Sequence, residues 1–364
     1  MGRGRMTDEA GRDTYFPQLT GLKVVALVGI FYWHAMPHLG LPDYGARLVE
    51  LYFVISGFLV GFRRHGVLRM TISGCWNYAW PKIRSLYPVY LLGLALGLFQ
   101  RMLEGSVGTD VVFPLIWALG LQQAWIPAIS MIYNGASWFI SAWAFCMLCA
   151  PVLQWILLRL RDSWGGVHGL TAYLFLVFIA RVFLEVCHAS APGAYSYSLH
   201  VTPVVRLLEF ALAYGIGVMF YERGGTKDVP IVLGTALEIF LVVVVFACIS
   251  FGGGWPRWAF VSMWLMVVLI LSMKPGLISR LLSWSPIVAC GKIEMEFFLL
   301  HNAIIGIVAA CFAACGLGGY KKIAIVSFLV TLVLSIACNR LFGGAGKGYR
   351  LAVSANASSQ GGVQ

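Results

Sequence analysis

Residues 20–39 read Thr20-Gly-Leu-Lys-Val-Val-Ala-Leu-Val-Gly-Ile-Phe-Tyr-Trp-His-Ala-Met-Pro-His-Leu39. As an α-helix rising 1.5 Å per residue, this run is about 30 Å long, the thickness of a bilayer's hydrocarbon core. Nine further apolar runs follow at 47–62, 86–101, 136–158, 168–186, 201–221, 230–250, 257–273, 293–314 and 322–341. They predict an all-α polytopic membrane protein with about ten transmembrane helices. A shorter run at 109–122 is ambiguous.

Composition agrees with that reading. Of 364 residues, 60% are hydrophobic and only 11% charged, and the mean hydropathy is +0.82. A water-soluble core cannot hide such an excess, which excludes a soluble enzyme, a secreted disulfide scaffold and a disordered chain. The net charge of +11 would point to nucleic acid in a soluble protein. Here the bases lie between apolar runs and orient helices, so the bilayer is the expected partner and nucleic acid is not. The nine cysteines are scattered through apolar segments, and Cys146-x-x-Cys149 reads as packing. Met1 to Tyr15 is polar and lacks the apolar core of a signal peptide. The expected organisation is a polar N-terminal tail (1–15), a transmembrane domain (16–342) and a disordered Gly/Ala/Ser-rich C-terminal tail (343–364).

With 109–122 not crossing, ten spans place 18 of the 26 Lys and Arg on the side of both termini and five opposite. By the positive-inside rule both termini are then cytoplasmic. If 109–122 crossed, every later loop would change sides and the bias would vanish.

Ionisable groups inside spans are costly and need a structural or functional reason. Lys23 and His34 are eleven residues apart, so they share one face of the first helix, about 16 Å apart along its axis. A cation near the cytoplasmic end and an imidazole deeper in suit a long anionic donor, its phosphates at Lys23 and its reactive end at His34. Taken alone, Lys23 also reads as a snorkelling boundary lysine and His34 as a hydrogen-bonded interhelical histidine. Glu50 starts the second helix at a depth similar to His34, where a carboxylate could fix the imidazole tautomer; it also reads as an interfacial acid. Ser56-Gly57 lets helices approach closely. His301, followed by Asn302, lies near mid-membrane, seven residues after Glu294 and on nearly the same face. Arg181 with Glu185 and Arg206 with Glu209 read as paired structural charges. His200 carries no assignable signal. No His/Cys/carboxylate cluster has metal-ligand spacing, so no metal is expected.

Several of these residues also form a recognisable series. Lys23-x10-His34 followed by Glu50-Leu-Tyr-Phe-Val-Ile-Ser-Gly-Phe-Leu59 resembles the opening of the acyltransferase-3 family of bacterial membrane acyltransferases. Arg84-Ser-Leu-Tyr-Pro-Val-Tyr90, Trp138-Phe-Ile-Ser141 with Pro151, Arg206-Leu-Leu-Glu-Phe210 with Gly215, and Gly291-Lys-Ile-Glu-Met-Glu-Phe-Phe-Leu-Leu-His301 resemble its later blocks in order. The chain departs from the pattern at Trp143 and Ala144, where many members have a Glu pair. It departs again at Arg84, one residue further from the tyrosine than usual, and at Glu294, which replaces a serine.

The resemblance implies acetyl transfer from acetyl-CoA to a sugar hydroxyl of an exopolysaccharide or lipid-linked oligosaccharide in the bacterial inner membrane, alongside other polysaccharide-assembly proteins. The chain resembles the exopolysaccharide branch, the xanthan mannose O-acetyltransferases in particular. Under this reading Lys23 and Arg84 bind the CoA phosphates, His34 is the general base with support from Glu50 or else carries the acetyl group as an acetyl-histidine intermediate, and Trp138, Ser141 and His301 position substrate. No Gly-x-Ser-x-Gly elbow is present, so a serine acyl-enzyme is not expected. The competing reading is a transporter of polysaccharide units or acyl groups, since intramembrane Lys, His and Glu also line transport paths. A membrane scaffold for an envelope assembly complex is a third.

Overall fold

The computed structural model describes residues 15–37, 44–63, 68–108, 111–190, 198–225, 229–251, 255–273 and 276–360, with side chains in the last helix as far as Phe342. Among these residues there is no strand. Helix α1 (Pro17–Ala35) is followed by α2 (Tyr44–Phe62), α3 (Ile72–Leu103), α4 (Val112–Leu119), α5 (Trp138–Trp164) and α6 (Gly166–Ala189). Then come α7 (Ser198–Val201), α8 (Pro203–Glu222), α9 (Ile231–Phe251), α10 (Arg257–Ser272), α11 (Leu277–Leu282), α12 (Ser285–Cys290), α13 (Glu294–Ala314) and α14 (Tyr320–Gln360).

Each of the ten apolar runs is a helix. Eight helices among the described residues, α2, α3, α5, α6, α8, α9, α13 and α14, are long and apolar enough to cross a membrane. The protein is therefore an all-α polytopic membrane protein. Helix α10 is shorter, with 16 residues, and α1 falls outside the eight because Gln18, Lys23 and His34 lower its hydropathy. The ambiguous segment 109–122 holds only the eight-residue α4, residues 109–110 lying outside the described chain. At about 12 Å it is too short to cross, which fits the ten-span arrangement.

Two boundaries differ from expectation. Helix α3 begins at Ile72 instead of near 86, with Thr71 as N-cap accepting the Gly74 N–H on its side-chain oxygen. Its 32 residues make about 48 Å, more than a bilayer core, so its first turns extend beyond the apolar zone. The segment 343–360, expected to be disordered, continues α14 as helix. Extending an existing helix avoids the nucleation cost. Residues 361–364 and the polar stretch 1–14 lie outside the described residues.

Helix α2 is the centre of the bundle, buried along most of its length, and α8 lies directly against it. A Cβ at Gly57 would run into the carbonyl oxygen of Phe210, and one at Gly61 into that of Tyr214. The two backbones touch there, the close approach that Ser56-Gly57 predicted. Phe16, Phe58, Phe62 and Phe220 close one end with edge-on and stacked rings. Helices α1 and α13 lie side by side, and this contact assembles the site.

Candidate functional site

Helix α1 faces α13, so the polar groups of one meet those of the other. Near the start of α1, Lys23 Nζ is ion-paired with Glu294 Oε1, the first residue of α13, whose carboxylate is nearly buried. The Tyr52 hydroxyl donates to the Lys23 carbonyl at 2.7 Å. The expected phosphate-binding lysine thus already has a counter-ion. Arg84 is exposed on α3, and among the described residues no hydrogen bond or ion pair joins it to Lys23.

At the other end of α1, the rings of His34 and His301 stand with centroids 5.2 Å apart. Asn302, next to His301 on α13, links this pair to the loop before α5. Its Oδ1 accepts from the Gly135 N–H at 3.1 Å, and its Nδ2 lies 3.2 Å from Nδ1 of His34. A backbone N–H can only donate, so the atom facing Gly135 is the amide oxygen and the one facing His34 is the amide nitrogen. Nδ1 of His34 must therefore accept, which places the proton of the neutral ring on Nε2. His301 is the mirror case. Its Nδ1 lies 2.7 Å from the Phe298 carbonyl, which can only accept, so Nδ1 carries the proton and Nε2 the lone pair. That Nε2 is buried and has no hydrogen-bond partner among the described residues. Leaving a buried acceptor unmet typically costs about 1–3 kcal/mol, so it calls for a reason.

A cavity of about 280 Å³ opens beside the pair, lined by His34, Trp138, His200, Arg257, Phe298 and His301 among others. It lies at the small end of ligand sites, which run from about 300 Å³ upward, so it has room for the reacting ends of two substrates. Trp138 meets the His200 ring edge-on, with centroids 4.7 Å apart. The loop carrying Gly135 and Ala136 forms one wall and is pinned by the Asn134 side chain, which donates to the Leu299 carbonyl at 2.6 Å.

The remaining expected site residues fall elsewhere. Glu50 is fully buried, with its Oε1 3.1 Å from Arg47, 3.7 Å from Arg206 and 3.8 Å from Arg257. Among the described residues no hydrogen bond or ion pair links it to His34; Asn302 sets the imidazole instead. The hairpin geometry placed Glu50 at the right depth, but its side chain turns toward α8 and α10. Arg206 also meets Glu209 at 2.5 Å, and Arg181 bridges Glu185 at 2.8 Å and Glu209 at 3.4 Å. The two expected charge pairs are thus fused through Glu209 into one network, which reaches the cavity wall through Glu50 and Arg257. Ser141 donates to the Leu121 carbonyl at 2.6 Å and receives the Ala124 N–H, bracing the turn where Leu121 takes a positive φ of 56°. It is not among the residues lining the cavity.

Sequence reasoning missed Asn302 as a partner of His34, and His200 and Arg257 as wall residues. Only Asn302 carried a signal, a polar residue beside an intramembrane histidine.

The family model described as "Acyltransferase domain", that of the acyltransferase-3 family, matches residues 16–340. No curated protein and no solved structure matches the chain.

Proposed function

The chain belongs to the acyltransferase-3 family, and from that membership we propose that it is a membrane O-acetyltransferase, moving acetyl from acetyl-CoA to a sugar hydroxyl of an exopolysaccharide or lipid-linked oligosaccharide. The observation that carries this reading is the His34–His301 pair beside a small cavity, at the far end of the helix that bears Lys23. A thioester is already activated, so transfer requires only that the two reactants be held together and that a proton be moved; imidazoles in a confined site can do both.

The donor's phosphates are assigned to Lys23, with Arg84 on the same cytoplasmic side. Lys23 lies about 16 Å from His34 along the helix, so an extended donor bound there would bring its thioester to the cavity. Such binding exchanges Glu294 for phosphate as the counter-ion of Lys23. The acceptor sugar enters on the side of Trp138, whose flat apolar ring suits a sugar face. The assigned orientation puts both termini in the cytoplasm of a bacterial inner membrane, with the histidines in the outer half.

The test is transfer of radiolabelled acetyl from acetyl-CoA to envelope glycan in membranes holding the full chain or His34→Ala at matched levels. Label that appears with the wild type and is lost in a folded His34→Ala variant supports the reading. Equal labelling from both excludes His34 from the chemistry, and no label above an empty-vector control overturns acyl transfer in favour of transport.

A further inference from the structure

The two histidines of the site hold their protons on opposite nitrogens, and their neighbours impose the difference. Asn302 donates to Nδ1 of His34, which leaves that ring an N–H at Nε2. The Phe298 carbonyl accepts from Nδ1 of His301, which leaves that ring a lone pair at Nε2 with no partner. The nitrogen of His34 able to accept a proton is already occupied by an amide donor. The corresponding nitrogen of His301, a residue that lines the cavity, has no partner among the described residues.

Resting on the acyl-transfer reading, we propose that His301, through Nε2, is the general base of the reaction, and that His34 serves as a hydrogen-bond donor through Nε2–H, with Asn302 as its positioning residue. The step balances within the two substrates. The acceptor hydroxyl gives its proton to Nε2 of His301 as its oxygen bonds to the thioester carbonyl carbon. The carbonyl oxygen takes the negative charge and is met by the Nε2–H of His34, the donor such an oxyanion needs. As the carbonyl re-forms, the carbon–sulfur bond breaks, and the imidazolium of His301 returns the proton to the departing thiolate. The products are an O-acetyl ester and a free thiol, and both rings regain their starting tautomers. The buried, partnerless nitrogen of His301 is then explained as a site reserved for the acceptor hydroxyl.

Glutamine separates the roles, because its amide keeps an N–H donor and has no basic nitrogen. In membranes holding the full-length protein, with radiolabelled acetyl-CoA and endogenous glycan, His34→Gln should keep activity within about tenfold of wild type. His301→Gln should lose the general-base contribution, about 10²–10⁴-fold in kcat. An equal or greater loss in His34→Gln would overturn the assignment. Asn302→Asp tests the tautomer without touching either ring. The carboxylate still accepts from Gly135 but also accepts from His34, moving its proton to Nδ1 and removing the Nε2–H. The expected result is a loss of about 10²–10³-fold, as for an oxyanion donor. Activity at or above wild type would mean that an Asp–His pair makes His34 a better base, which also overturns the proposal. Elution as a monodisperse species in detergent establishes that each variant is folded. Absence of transfer by the wild type would overturn the acyl-transfer reading itself, whereas transfer with the opposite order of variants overturns only the division of roles.

Discussion

Lys23 on α1 and Glu294, the first residue of α13, form an ion pair in which the glutamate side chain is more buried than the lysine (side-chain exposure 7% against 21%). The asymmetry decides what each substitution does. Lys23→Ala leaves a buried carboxylate without its cation and is expected to destabilise the protein by about 3 kcal/mol. Glu294→Gln leaves a partly exposed lysine that can snorkel to water, and should cost less. Thermal unfolding of the detergent-solubilised variants checks this order. Under the proposed assignment of the donor phosphates to Lys23, Glu294→Gln frees that lysine from its counter-ion and should lower KM for acetyl-CoA, whereas Lys23→Ala should raise it.

Glu50 is expected to be a stability residue. Its fully buried carboxylate faces Arg47, Arg206 and Arg257. Glu50→Gln takes away the negative charge and leaves the guanidiniums facing one another, a loss of about 3–5 kcal/mol for breaking a buried charge network. The measurement is folded yield and melting temperature, followed by activity per folded molecule. The folded fraction should retain far more activity than His34→Ala, because Asn302, not Glu50, orients the imidazole.

Where α2 crosses α8, Gly57→Ala places a methyl group against the Phe210 carbonyl, with backbone on both sides and no flexible side chain to yield. Overpacking of this kind costs typically 1–3 kcal/mol. Because Glu50 and Arg206 lie on the same two helices, the double variant of Gly57→Ala with Glu50→Gln should fall below the wild-type melting temperature by less than the sum of the two single falls. A double-mutant cycle on melting temperatures measures that coupling.

The helices were legible in the sequence wherever apolar length alone decides, which is why every run of sixteen or more residues became one. The start of α3 was not, since Asn77, Pro81, Lys82 and Arg84 interrupt the apolar pattern while Thr71 caps the helix locally. Within the site, the shared face of Lys23 and His34 follows from helical periodicity. Their partners do not, because Glu294 and Asn302 are more than 260 positions away in the chain and meet them only through the α1–α13 contact. Glu50 shows the limit of depth arguments: the α1–α2 hairpin set its height in the membrane, but the arginines that claim its carboxylate come from its own helix and from α8 and α10.

Trp138 offers the last prediction, concerning the acceptor. The residue is almost fully buried, lines the cavity, meets His200 edge-on and stands 6.4 Å from the Phe53 ring in a stacked arrangement. Its indole is thus fixed from two sides, and a rigid aromatic wall recognises a sugar face at little entropic cost. Trp138→Phe keeps a flat ring in the same frame and should raise KM for the glycan only a few-fold. Trp138→Ala removes the wall and should raise it at least tenfold, while KM for acetyl-CoA, assigned to the Lys23 end of α1, stays near wild type. Steady-state kinetics with each substrate varied in turn make the distinction. Equal rises in both constants would show that Trp138 supports the bundle as a whole, and would move the acceptor site away from this wall.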